Sequence, residues 1–176
     1  MPCVVADTSP LFYLAQLERL NLLRELYGEV FAPESVWAET LAGCKIIPSA
    51  QTHLKKAFDA GWLIVCKAPA AEKTDAAALL EGLDRGERDA LLLAQALHAS
   101  LVLIDEKRGR AAAEKLGLSI TGTLGVLAEA KRKGHLPALA PELERLRRQT
   151  TFRLSRELEI LALKLVAESP LTDPNP

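Results

Sequence analysis

Residues 4–10 read Val4-Val5-Ala6-Asp7-Thr8-Ser9-Pro10. A short apolar run stops at a bare carboxylate, and a serine followed by proline stands two residues further on. Ser9 is a good helix N-cap and Pro10 suits the first helical position, so the stretch predicts strand, turn and helix in quick succession. Asp7 is then either an ordinary turn residue or part of a site at the carboxyl edge of a sheet. The rest of the chain repeats the alternation. Strands are expected at 3–6, 29–32, 62–66, 101–104 and 119–121. Helices are expected at 10–26, 33–41, 50–60, 86–99, 107–116 and 123–132, with Thr74 or Asp75 capping a short helix at 76–80. Gly43 and Gly61 fall where two of these helices should end. Residues 141–168 read as two amphipathic helices, and Leu171–Pro176 as a frayed tail. Strands alternating with helices predict a three-layer α/β/α fold with a mainly parallel central sheet, plus C-terminal helices.

The bulk composition narrows the function. At 176 residues the chain is long enough for one domain with a full core, and its net charge of −1 excludes a polycation that binds nucleic acid by bulk charge. Cys3, Cys44 and Cys66 are far apart and odd in number, against both a disulfide framework and a zinc site. Neither a signal segment nor a membrane span is visible, so a cytoplasmic protein with no membrane partner is expected. The phosphate loop GxxxxGK[ST], the dinucleotide turn GxGxxG and the nucleophile turn GxSxG are all missing.

In parallel α/β sheets, ligands gather at the carboxyl ends of the strands. Asp7 follows the first strand directly, and Asp105 follows Leu101-Val102-Leu103-Ile104. The helix before Asp105 advances about 15 Å over ten residues, and about five strand residues return that distance, so position 89 should finish level with position 105. On a helical wheel Asp89 falls among Leu92, Leu93 and Ala96, whereas Glu87 falls with Arg88, Gln95 and His98. Asp89 is therefore expected to face inward and Glu87 to face solvent. Glu39 follows the second strand by about two helical turns. Carboxylates gathered at one edge call for a hard divalent cation, Mg²⁺ or Mn²⁺, as counterion. Lys107, Arg108 and Arg110 follow Asp105 at once and could reach the phosphates of a nucleic acid. The remaining basic clusters, at 131–135 and 145–156, are expected to be solvated faces.

The segments VVADTSPL, APESVWAETL, GERDALLLAQA, LVLIDEKRGR and ITGTLGVL, in this order and spacing, resemble the PIN-domain family of metal-dependent ribonucleases, and within it a prokaryotic, VapC-like branch. The resemblance spans residues 1–135. It implies a nuclease domain over 1–139 and a helical extension and tail over 140–176, packed on the same domain or on a partner. It also implies Asp7, Glu39, Asp89 and Asp105 as metal-binding and catalytic acids, with Glu87 competing with Asp89, Glu106 competing with Asp105, and Ser9 beside the metal. The activity so implied is Mg²⁺- or Mn²⁺-dependent endoribonucleolytic hydrolysis, in the setting of a toxin restrained by a small antitoxin. The alternative is a PIN fold that binds nucleic acid or protein without catalysis. A dehalogenase-type phosphoryl-transfer domain would need a second Asp where Ser9 stands. The leucines of the C-terminal helices, Leu143 to Leu165, predict a homodimer.

Overall fold

The computed structural model describes residues 2–70 and 77–170. The expected cap at Thr74 or Asp75 and the tail at 171–176 lie outside the described residues. Five strands, β1 (Val4–Ala6), β2 (Val30–Pro33), β3 (Leu63–Cys66), β4 (Leu101–Leu103) and β5 (Ile120–Thr121), form one sheet in the order β3-β2-β1-β4-β5, and every pairing is parallel. The central strand β1 is buried at all three positions, as a strand covered on both faces must be. The chain moves outward from β1 through β2 to β3, then crosses to the other side of β1 for β4 and β5. The order therefore reverses beside β1, which places a crevice at its carboxyl end.

Nine α-helices surround the sheet among the described residues: α1 (Thr8–Gln16), α2 (Asn21–Tyr27), α3 (Glu34–Gly43), α4 (Pro48–Asp59), α5 (Arg85–Ala96), α6 (Lys107–Lys115), α7 (Thr123–Arg132), α8 (Ala140–Gln149) and α9 (Arg156–Leu165). α5 packs across β1, β2 and β4 with α6 beside it, while α1 packs on α4 and α7, and α2 on α7. The result is the expected three-layer α/β/α architecture.

Two local expectations are corrected. Helix formation begins at Thr8 with Asp7, not Ser9, in the N-cap position, and Pro10 sits inside the first turn, where the N–H it lacks would be unsatisfied anyway. The single helix expected over 10–26 is two. The chain turns at Glu18, which takes a positive φ of 58°, and the Arg19 N–H donates back to the Leu14 carbonyl at 2.8 Å. Leu17 and Leu20, on either side of the break, both lie in the core.

The turn also frees Arg19 to grip α8. Its guanidinium donates to both oxygens of the buried Glu142 at 2.8 and 3.1 Å, while Arg145 donates to Glu142 at 3.1 Å and to the Leu17 carbonyl at 2.8 Å. At the start of α8 the Glu168 carboxylate accepts the Leu139 and Ala140 N–H groups. Leu143, Leu146 and Leu163 lie in the same core as the sheet. The C-terminal helices thus pack on this domain.

Candidate active site

Asp7 continues β1 with extended backbone (φ −84°, ψ 173°), and its N–H donates to the Leu103 carbonyl of β4 at 2.9 Å. Although it stands at the N-cap, its side chain makes no capping bond within α1. The carboxylate is instead turned into a pocket of about 460 Å³ at the carboxyl edge, lined by Asp7, Glu39, Asp84, Glu87, Glu106 and Lys107 among others. Only 3% of Asp7 is exposed. Burial, with Asp84, Glu87 and Glu39 adding their negative fields, pushes its carboxyl up to about 7, against the lowering effect of the adjacent Thr8 N–H. Asp7 is thus held at the turn by its backbone, and its side chain serves the pocket.

Glu39 reaches the pocket from the second turn of α3, where the Thr8 hydroxyl donates to its Oε2 at 3.0 Å. Glu87 comes from the first turn of α5. A capping box fixes this turn: the Asp84 carboxylate accepts the Glu87 N–H at 2.8 Å, and the Asp84 N–H donates to Glu87 Oε2 at 3.2 Å. The Gly109 N–H of α6 also donates to Glu87. Glu87 is only 5% exposed, and burial holds its carboxyl above the usual range.

Two glycines make this convergence possible. A Cβ on Gly86 would lie 2.9 Å from Glu39 Oε2 and 3.5 Å from Asp7 Oδ1. One on Gly109 would collide with Ile104 and stand 2.8 Å from Glu87 Oε1. Both helices approach the acids through a missing side chain.

Leu92 and Leu93 are buried as the helical wheel expects, but the face of α5 that meets the pocket carries Glu87, not Asp89. Glu87 shares its stripe with Ala90, Leu91 and Ala94, all fully buried, a sequence i, i+3, i+4, i+7 that weighting Gln95 and His98 had hidden. Those two residues sit at the helix end, which has already reached the surface. Asp89 faces away from the pocket. It accepts the Ser35 hydroxyl of α3 at 2.6 Å and pairs with Arg85 and Arg88 at 3.7 and 3.9 Å. Its position secures α3 against α5.

Asp105 is not brought to Asp7 either. Both its oxygens are taken at the start of α7, by the Thr123 N–H at 2.8 Å and the Thr123 hydroxyl at 2.6 Å. Burial still raises its carboxyl, against the lowering effect of Thr123 and Arg110. The register explains the divergence. Ala6 pairs with Leu103, so Asp7 is level with Ile104, and the next residue, Asp105, projects to the opposite side of the sheet. Glu106, one further, returns to the pocket side.

The basic trio divides in the same way. Lys107 and Arg108 line the acid pocket, whereas Arg110 donates to the Ile104 carbonyl at 3.0 Å and lines a different cavity with Asp105. Ser9 lines the acid pocket. Sequence reasoning missed Thr8 and Asp84. The motif Asp84-Arg85-Gly86-Glu87 carried the signal for the second, since Asp three residues before Glu is a capping box.

The donor set is entirely oxygen, which suits a hard cation, and its negative charge is uncompensated at Asp7. As the side chains lie, no three histidine, cysteine or acidic residues among the described ones stand close enough to close around an ion. Among the described residues no helix is long and apolar enough to cross a membrane.

A parallel sheet of this order, with acids at its carboxyl edge, defines an α/β domain whose candidate site lies at the strand ends. A family model described as a PIN domain matches residues 3–168, through both C-terminal helices, and the chain belongs to the PIN-domain family. PIN domains are generally nucleases. None of the curated proteins matches the chain.

Proposed function

We propose that this protein is a Mg²⁺- or Mn²⁺-dependent endoribonuclease that hydrolyses RNA phosphodiester bonds, and that it is the toxin of a toxin–antitoxin pair. The observation that carries the catalytic reading is Asp7, a buried carboxylate crowded by further acids in a pocket rimmed by Lys107 and Arg108. Alone, such a group is about half protonated at neutral pH, and a cation beside it would hold it ionised. Asp7, Glu39 and Glu87 are the residues that would hold the ion, with Asp84 and Glu106 at hand. When bound, the ion supplies positive charge to the scissile phosphate and lowers the pKa of the attacking water. The protein's residues position and exclude. Thr8 orients Glu39, the Asp84 and Gly109 N–H groups orient Glu87, and Lys107 and Arg108 offer charge to the phosphates on either side. The restriction to RNA and the toxin role rest on the sequence resemblance to the prokaryotic VapC-like branch. In that setting the cytoplasm is the compartment, and a small antitoxin is the partner.

Incubating the full chain with matched RNA and DNA oligonucleotides in Mg²⁺, Mn²⁺ or EDTA tests the reading. RNA cleavage that EDTA abolishes supports it; cleavage of DNA alone, or cleavage undiminished by EDTA, contradicts it. One observation favours a second reading, a catalytically silent binding module: the acids do not close around an ion as they lie. Calorimetric titration with Mn²⁺ separates the two, because a silent module need not bind it.

A further inference from the structure

Among the described residues, seven large apolar side chains are exposed, and three of them stand on α9: Leu158 (46%), Leu161 (55%) and Leu165 (69%). Their spacing of three and four residues makes one stripe along the helix. The opposite side of α9, with Leu163, is buried, and the helix packs on α7. The three leucines, with Leu124, Ala128 and Phe152, wall an open cavity of about 660 Å³. Neither the stripe nor the cavity is needed by the acid pocket, yet together they leave a helix half covered, as a surface that associates would be.

We propose that α9 pairs with α9 of a second copy of this chain, antiparallel about a two-fold axis, so that each copy's leucines close the other's groove. Charge complementarity selects this occupant. In heptad terms Leu158, Leu161 and Leu165 are a, d and a, which makes Glu157 and Lys164 the flanking g positions. Both are exposed, and neither forms an ion pair with another described residue. An antiparallel pair that sets Leu161 against Leu161 of the partner subunit also sets Leu158 against the partner's Leu165. The same register brings Glu157 beside the partner's Lys164, and symmetry repeats the contact. A parallel pair would set Glu157 opposite Ala162 and form no such contact. A two-fold interface must be complementary to itself, and this stripe is. Lys107 borders both the groove and the acid pocket, so the interface abuts the candidate site.

The test is sedimentation velocity on the full chain over about a hundredfold range of concentration. The wild type is expected to dimerise, and Leu161→Glu to sediment as a monomer with unchanged circular dichroism. Glu157→Lys places like charges at both contacts and should weaken dimerisation about tenfold; adding Lys164→Glu should restore it. A wild type that stays monomeric throughout, or a dimer indifferent to Leu161→Glu, overturns the proposal. So does a double variant no tighter than Glu157→Lys alone, since that outcome refutes the antiparallel register.

Discussion

Asp7→Asn should make the metal-free protein more stable. The substitution keeps the shape of the side chain but removes one charge from a pocket where Glu39, Glu87 and Asp84 already repel it. In the unfolded chain an aspartate titrates near 3.8, and in the folded protein burial pushes Asp7 up to about 7. Between these values the folded state holds a proton that the unfolded state has released, so stability falls as pH rises from about 4 to about 7 and is level on either side. A difference of about three units corresponds to at most about 4 kcal/mol, and partial relaxation of the pocket brings the expected gain at pH 8 to about 2–4 kcal/mol. In a domain of this size that is a rise in melting temperature of about 6–12 °C. The assay is urea unfolding of both proteins in EDTA at pH 8 and again near pH 4, where the wild-type carboxyl is largely neutral. The gain should nearly vanish at the lower pH. An equal gain at both pH values, or a loss at pH 8, would show that the buried charge of Asp7 is not what limits stability.

Glu87→Gln should weaken Mn²⁺ binding at least tenfold and Asp89→Asn less than about twofold, by calorimetric titration, because only Glu87 faces the pocket. The converse ranking would mean that the first turn of α5 rearranges on binding. Gly109→Ala should destabilise the fold by about 1–3 kcal/mol in chemical denaturation, since the new methyl group meets Ile104 and Glu87. Lys107→Ala should weaken RNA binding and lower the slope of log K against log salt by about one, measured by fluorescence anisotropy in EDTA. Arg110→Ala should leave that slope unchanged, because its guanidinium holds the Ile104 carbonyl.

Much of the sheet was readable because parallel strands are buried on both faces and carry continuous apolar runs, as Val4-Val5-Ala6 and Leu101-Val102-Leu103 do. The reversal of strand order beside β1 follows from pairings between distant segments, and local periodicity does not contain it. Asp7 was legible as the residue where the first strand stops. The third acid was not, because α5 is buried along most of its circumference, so an apolar neighbourhood fails to single out one face. What decides between Glu87 and Asp89 is a capping box at the start of the helix and a glycine on α6, one local signal and one tertiary. Asp105 was placed at the carboxyl edge because it follows a strand, but that does not report which side of the sheet a side chain takes. The pairing register with β1 does. The break at Glu18 was hidden by leucines whose spacing suits a continuous helix, and it is set by Arg19 reaching Glu142 more than a hundred residues later.

The central claim is that the acids around Asp7 perform metal-dependent hydrolysis of RNA. Its most direct test is single-turnover cleavage of one end-labelled RNA by wild-type and Asp7→Asn protein, purified in parallel and assayed with Mn²⁺ in excess. The account predicts cleavage by the wild type and a rate at least about a hundredfold lower in the variant, which is folded and no less stable. Equal rates in the two preparations would contradict it.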